Sequence, residues 1–81
     1  MVNTDKLNSV IKEKGYTKES IARRLGISRQ SLSNKINNKT PFRDTESLYL
    51  KELLELSDVQ FVSIFFVSEF DYKSKLEIIY G

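Results

Sequence analysis

Neither cysteine nor histidine occurs anywhere in the 81 residues. Without cysteine there is no disulfide framework and no thiolate metal site. Without histidine the commonest general base and the commonest zinc ligand are both missing. No Gly-rich phosphate loop and no carboxylate pair in an apolar setting takes their place, and Glu52 and Glu55 read as surface residues of a helix. An enzyme is therefore not expected, and neither is a metal or other cofactor. Long apolar runs are also missing, since none approaches the roughly 20 residues of a membrane span. Met1-Val2-Asn3-Thr4 is not the opening of a signal peptide, so a cytoplasmic chain is expected. Proline occurs once. At Pro41 it forbids a continuous helix, and with Asn37-Asn38 ahead of it marks the one clear loop of the chain.

What is present fits one domain, with hydrophobic residues making up 40% of the chain. The net charge of +2 conceals a split. Residues 1–43 carry ten Lys and Arg against three acids, a net +7, while residues 44–81 carry three lysines against eight acids, a net −5. A polyanion is the expected partner of the first half alone.

The stretch Thr17–Asn37, TKESIARRLGISRQSLSNKIN, organises the rest. Ile21, Ala22 and Leu25 lie at helical spacing, Gly26 interrupts, and Ser28 caps a second helix whose apolar side is Leu32 and Ile36. A small residue four positions before a turn glycine, with aliphatics around both, is the sequence form of a helix-turn-helix. Ala22 is small because the second helix crosses close over it. Gly26 takes the positive φ that the turn needs. Ahead of this pair a first helix is capped by Asn3 or Thr4 and striped with Leu7, Val10 and Ile11. Gly15 ends it, and Tyr16 is a core contact. After the Pro41 loop, with Phe42 tucked inward, Asp44 or Thr45 caps a fourth helix. Its apolar face is Tyr49, Leu50, Leu53, Leu54 and Leu56, with Leu48 outside the stripe. Ser57-Asp58-Val59-Gln60 reads as a capping box opening a fifth helix. That helix is so widely apolar that it needs a second neighbour besides the core. The remainder alternates, with Phe70, Tyr72, Leu76, Ile78 and Tyr80 apolar, which is a strand signal. The expected fold is all-α, with five helices over residues 1–66 and an extended tail over 67–81 that is a candidate dimerisation strand.

The outward side of the third helix carries amides and hydroxyls where solvated helices usually carry Glu and Lys. Arg pairs with guanine O6/N7, and Gln or Asn with adenine N6/N7. Arg29, Gln30, Ser31, Ser33 and Asn34 are therefore the candidate base readers, with Asn37 on the same face. Candidate phosphate contacts flank them. Thr17 and Lys18 open the second helix, Ser28 the third, and Lys35, Asn38, Lys39, Thr40 and Arg43 lie at the far end of the third helix and in its loop. Phe61, Phe65, Phe66, Phe70 and Tyr72 are the candidates for a dimer interface.

On Lys18, Ile21, Ala22, Leu25, Gly26, Ile27, Ser28, Leu32 and Ile36 the chain resembles the phage Cro/CI-type helix-turn-helix regulators (the lambda-repressor-like, Xre family). SRQSLSNKINNKTPF and IFFVSEFD resemble the small Cro-like members from phages and prophages of Gram-positive bacteria. The likeness spans roughly residues 4–71 and leaves the closing KSKLEIIYG unexplained. It implies a five-helix DNA-binding domain that dimerises on a near-palindromic operator. It also implies base reading at the positions of Arg29, Gln30 and Asn34, and a phosphate contact at that of Lys18. At this last position the family more often has Gln; lysine supplies charge but not the amide pattern. The second domain of the larger members has no counterpart here, so a short Cro-like repressor is expected. The alternative is a protein-interaction module on the same fold, an antitoxin or anti-repressor whose acidic half binds a partner.

Overall fold

Small polar residues start most of the helices, by a repeated device. Asn3 Oδ1 accepts from Lys6 N at 3.1 Å and opens α1, Thr4–Glu13. Thr17 Oγ1 accepts from Ser20 N at 3.1 Å and opens α2, Lys18–Leu25. Ser28 Oγ accepts from Ser31 N at 3.0 Å and opens α3, Arg29–Ile36. Ser57 and Gln60 form the expected reciprocal box (3.2 and 3.0 Å) at the head of α5, Asp58–Phe65. Each cap supplies an acceptor or donor that the helix end lacks. The computed structural model describes residues 1–67, and among these there are five helices and no strand.

The fourth helix, α4, Asp44–Leu53, departs from expectation at its start. Asp44 already belongs to the helix, so neither it nor Thr45 is the cap. Arg43 stands at the cap position, and its N–H donates to Glu46 Oε1 at 2.8 Å. A side chain one turn into the helix does the work of a capping hydroxyl. The helix also stops at Leu53, three residues short of the apolar pattern that continues to Leu56.

The helix ends share a second device. Gly15, Gly26, Asn38 and Glu55 all have positive φ (82, 70, 64 and 54°). At each, the left-handed residue and its successor donate back into the last turn. At the end of α2 the bonds are Gly26 N to Arg23 O and Ile27 N to Ala22 O. After α3 they are Asn38 N to Lys35 O and Lys39 N to Asn34 O. This is the Schellman pattern. It reverses the chain within two residues and sets the angle at which α3 leaves α2.

α2 packs on α3, and α1 packs on both α3 and α5. Leu7, Ile21, Leu32, Ile36, Leu50 and Leu54 are wholly excluded from solvent, and Ile11, Ala22, Leu56 and Ile64 are nearly so. Burial of each large aliphatic side chain contributes roughly 1.5–3 kcal/mol. Tyr16, Leu25, Phe42 and Leu53 are half-buried against this core, while Leu48 is exposed as its spacing predicts. Tyr49, expected inside, is partly exposed. The N-terminal residues are strapped across the bottom: Asn3 N donates to Ile64 O at 2.7 Å, and Val67 N to Met1 O at 3.1 Å. No helix among the described residues is long and apolar enough to cross a membrane. The expected tail, with Phe70 and Tyr72, lies outside the described residues apart from Val67.

Candidate nucleic-acid interface

α3 is fixed by its apolar side and presents the other. Leu32 and Ile36 are buried beneath Ile21 and Ala22, and Ala22 is only 2% exposed where the two helices cross. What remains outward begins at Arg29 and Gln30, both exposed, and continues through Ser31, Ser33 and Asn34, all partly exposed, to exposed Asn37. Gln30, Asn34 and Asn37 share the outward face, Ser31 and Ser33 flank it on either side, and Arg29 stands at its edge, as their spacing predicts. Their side chains are tied along the helix. Gln30 Nε2 donates to Asn34 Oδ1 at 3.1 Å, and Asn37 Nδ2 to Ser33 Oγ at 3.3 Å. These i,i+4 bonds link the amides along the helix and bias their orientation by about 0.2–0.5 kcal/mol each.

The start of α3 lies beside an open notch lined by Glu19, Ala22, Arg23, Ile27 and Arg29. Arg23 Nη2 lies 3.7 Å from Glu19 Oε1. Arg24 lies over the Tyr16 ring, 5.6 Å from its centre. Arg29, Lys18, Lys39 and Arg43 have no carboxylate partner among the described residues. These four are in no ion pair, although the Arg43 charge acts on Glu46, whereas Lys14 pairs with Glu55 (3.6 Å) and Lys51 with Asp58 (2.5 Å). Lys51 bonds the Asp58 carboxylate and holds its pKa below the ordinary value.

Two of the expected phosphate contacts, Lys35 and Asn38, are engaged elsewhere in the fold. Lys35 is 9% exposed, and its Nζ lies 2.6 Å from Glu46 Oε1. It sits three residues after Leu32 on the inward side of α3, so it is an internal pairing group and not a phosphate contact. Asn38 is exposed, but its amide is engaged. Its Oδ1 accepts from Val2 N at 2.8 Å and its Nδ2 donates to Val2 O at 3.0 Å. Both polar ends of the side chain are spent on clasping the N-terminal strap. The Ser28 hydroxyl is the cap of α3, and its oxygen is taken up by Ser31 N. The Thr17 oxygen is likewise occupied by Ser20 N, although Thr17 is exposed beside Lys18. Lys39, Thr40 and Arg43 are exposed around the loop after α3.

The dimer-interface set is corrected too. Phe61 and Phe65 are buried, at 9% and 6% exposed, and their rings contact each other at 5.2 Å. Phe42 meets Phe65 edge-on at 5.5 Å. Of the set's described residues only Phe66 is exposed, with its ring edge-on to Phe61 at 5.4 Å. Val59 and Val62, one turn apart on α5, are exposed with it. The exposed apolar stripe is therefore Val59, Val62 and Phe66. Their spacing of three and four places them on one side of α5.

The Lys35–Glu46 pair had no signal in the sequence beyond the position of Lys35 on the wheel. Burial pushes the Glu46 carboxyl up, but the Lys35 hydrogen bond, the Arg43 N–H and both positive charges outweigh this and hold it below its ordinary pKa. The pair ties the end of α3 to the start of α4 and so sets the shape of the loop that carries Lys39, Thr40 and Arg43. A family model described as "Protein of unknown function (DUF739)" matches residues 2–69. No curated protein and no solved structure matches the chain.

Proposed function

We propose that this chain, which belongs to the DUF739 family of proteins of unknown function, is a sequence-specific DNA-binding transcriptional regulator of the cytoplasm. It acts as a dimer on a near-palindromic operator with one α3 in each of two successive major grooves. The observation that carries this reading is the exposed face of α3. It starts with an arginine in no ion pair, continues with amides bonded to their neighbours along the helix, and is flanked by Lys18, Lys39 and Arg43, none of them in an ion pair among the described residues. Amides and arginine match base edges, and free cations match phosphates. The resemblance to small Cro-like repressors supports the same reading.

Arg29, Gln30, Ser31, Ser33 and Asn34 face the bases. Lys18, Lys39, Thr40 and Arg43, with the N-terminus of α2 at Thr17, face the phosphates. Glu46 holds Lys35, and Asn38 holds Val2, so that the loop after α3 keeps its form while it grips the backbone. One α3 reads few base pairs, so a second copy is needed for useful specificity. Val59, Val62 and Phe66 supply the apolar stripe that brings the copies together, with half-sites about 34 Å apart.

Titration of a fluorescent duplex of arbitrary sequence tests this. Binding at low salt that weakens steeply as salt rises supports it, because each neutralised phosphate releases counterion. Absence of binding at the lowest salt favours the alternative, an interaction module whose acidic half binds a protein partner.

A further inference from the structure

The bond from Gln30 Nε2 to Asn34 Oδ1, 3.1 Å long, joins two carboxamides on the exposed face of α3. From it we infer that Asn34 is a positioning residue that restricts Gln30 to adenine; this rests on the reading of α3 as the element that enters the groove. A carboxamide has two N–H hydrogens and one carbonyl oxygen. Left free, Gln30 can turn its NH2 end outward and offer both hydrogens to the two acceptors of guanine, N7 and O6. Asn34 removes that option, since it engages one of the hydrogens. Gln30 then keeps one donor and one acceptor, and no other side chain among the described residues bonds to either.

Adenine is the base whose major-groove edge sets an acceptor, N7, beside a donor, the N6 amino group. Guanine offers two acceptors, and its O6 or N7 would face the Gln30 oxygen in repulsion. Thymine offers one acceptor and a methyl group, and cytosine one amino donor. The tied Gln30 therefore both accepts adenine and opposes guanine, which is how specificity gains from repulsion as well as attraction. Asn34 keeps its own Nδ2 hydrogens for a neighbouring acceptor.

The test uses the full chain and duplexes of the sequence that it selects. The pair facing Gln30 is the one whose preference disappears in Gln30→Ala. At that pair the wild type is expected to favour adenine over guanine by roughly tenfold or more. Asn34→Leu fills the same volume without an acceptor and is expected to reduce that ratio to within about threefold. Asn34→Asp keeps an acceptor for Nε2. It is expected to keep the adenine preference although its charge lowers affinity for every duplex. Circular dichroism confirms that each variant is folded.

An unchanged ratio in Asn34→Leu overturns the inference. So does a ratio lost equally in Asn34→Asp, because a merely structural role would not spare that variant. In both cases selection at other pairs persists and the DNA reading stands. If the wild type selects no sequence, the DNA reading itself fails and the inference fails with it.

Discussion

Lys35 Nζ lies 2.6 Å from Glu46 Oε1, with both side chains only 10% exposed. The same oxygen accepts the Arg43 N–H. One carboxylate thus closes the end of α3, the loop and the first turn of α4 into a unit. Removing it by Glu46→Ala strands a buried ammonium and is expected to cost about 3–5 kcal/mol. Replacing both ends, Lys35→Met with Glu46→Leu, is expected to restore most of that loss. Urea unfolding of the single and double variants checks it.

The same carboxyl sets a pH dependence. Burial raises the Glu46 pKa, while Lys35 and Arg43 lower it by more, so it titrates below its ordinary value of 4.5. A depressed carboxylate binds fewer protons folded than unfolded, so its stabilisation is complete above that value and is lost as pH falls through the folded pKa. Asp58, held down by Lys51, shifts in the same direction. Stability should fall on acidification through the ordinary carboxylate range and keep falling until the pH is below the lowered folded values. Glu46→Gln should be less stable than wild type at neutral pH and converge with it at the acid end.

Glu55 adopts φ 54° after α4, where the other three helix ends use glycine or asparagine. A Cβ in the left-handed region is strained. Glu55→Gly is expected to stabilise the fold by about 0.5–1 kcal/mol and to raise Tm by a few degrees. The Lys14 partner, 3.6 Å away, adds little because Glu55 is well exposed. Gly26→Ala runs the other way: its Cβ would meet nothing within 4 Å, so its cost is conformational strain alone. Thermal melts of both variants decide this.

Val62 is 55% exposed on α5, between Val59 and Phe66. Val62→Glu is expected to leave the fold intact and to abolish the proposed dimer. Sedimentation velocity on the two proteins checks it. If both sediment as the same species, the stripe is not the pairing surface.

Much of this was legible in the sequence. Thr17, Ser28 and the Ser57–Gln60 box declare themselves, because a cap depends on residues within one turn. Gly15, Gly26 and Asn38 mark their turns because few residues tolerate positive φ. What was not legible depends on partners distant in the chain. Lys35 lies on the inward side of α3, but only Glu46, eleven residues on, shows why a lysine is tolerated there. Asn38 reads as a turn residue, and nothing local reveals that its amide clasps Val2, 36 residues earlier. Phe61 and Phe65 could not be told from Phe66 by composition, because α5 is apolar over most of its circumference. The face of α3 was visible as a set of residues. Its internal bonds, on which the reading of Gln30 depends, were not.

Arg29 stands at the head of α3 without a carboxylate partner among the described residues, and Lys39 is equally unpaired beyond its far end. Arg29→Ala is expected to cost about 1–3 kcal/mol on the selected sequence and little on arbitrary duplex. Lys39→Ala is expected to weaken both and to flatten the salt slope by about one. Anisotropy titrations over a range of salt concentrations separate the two.

The most direct measurement is selection of bound duplexes from a random pool by the wild-type chain. The account predicts enrichment of a near-palindrome whose half-sites are centred one helical turn, about 34 Å, apart. Recovery of a pool no different from the input would contradict it.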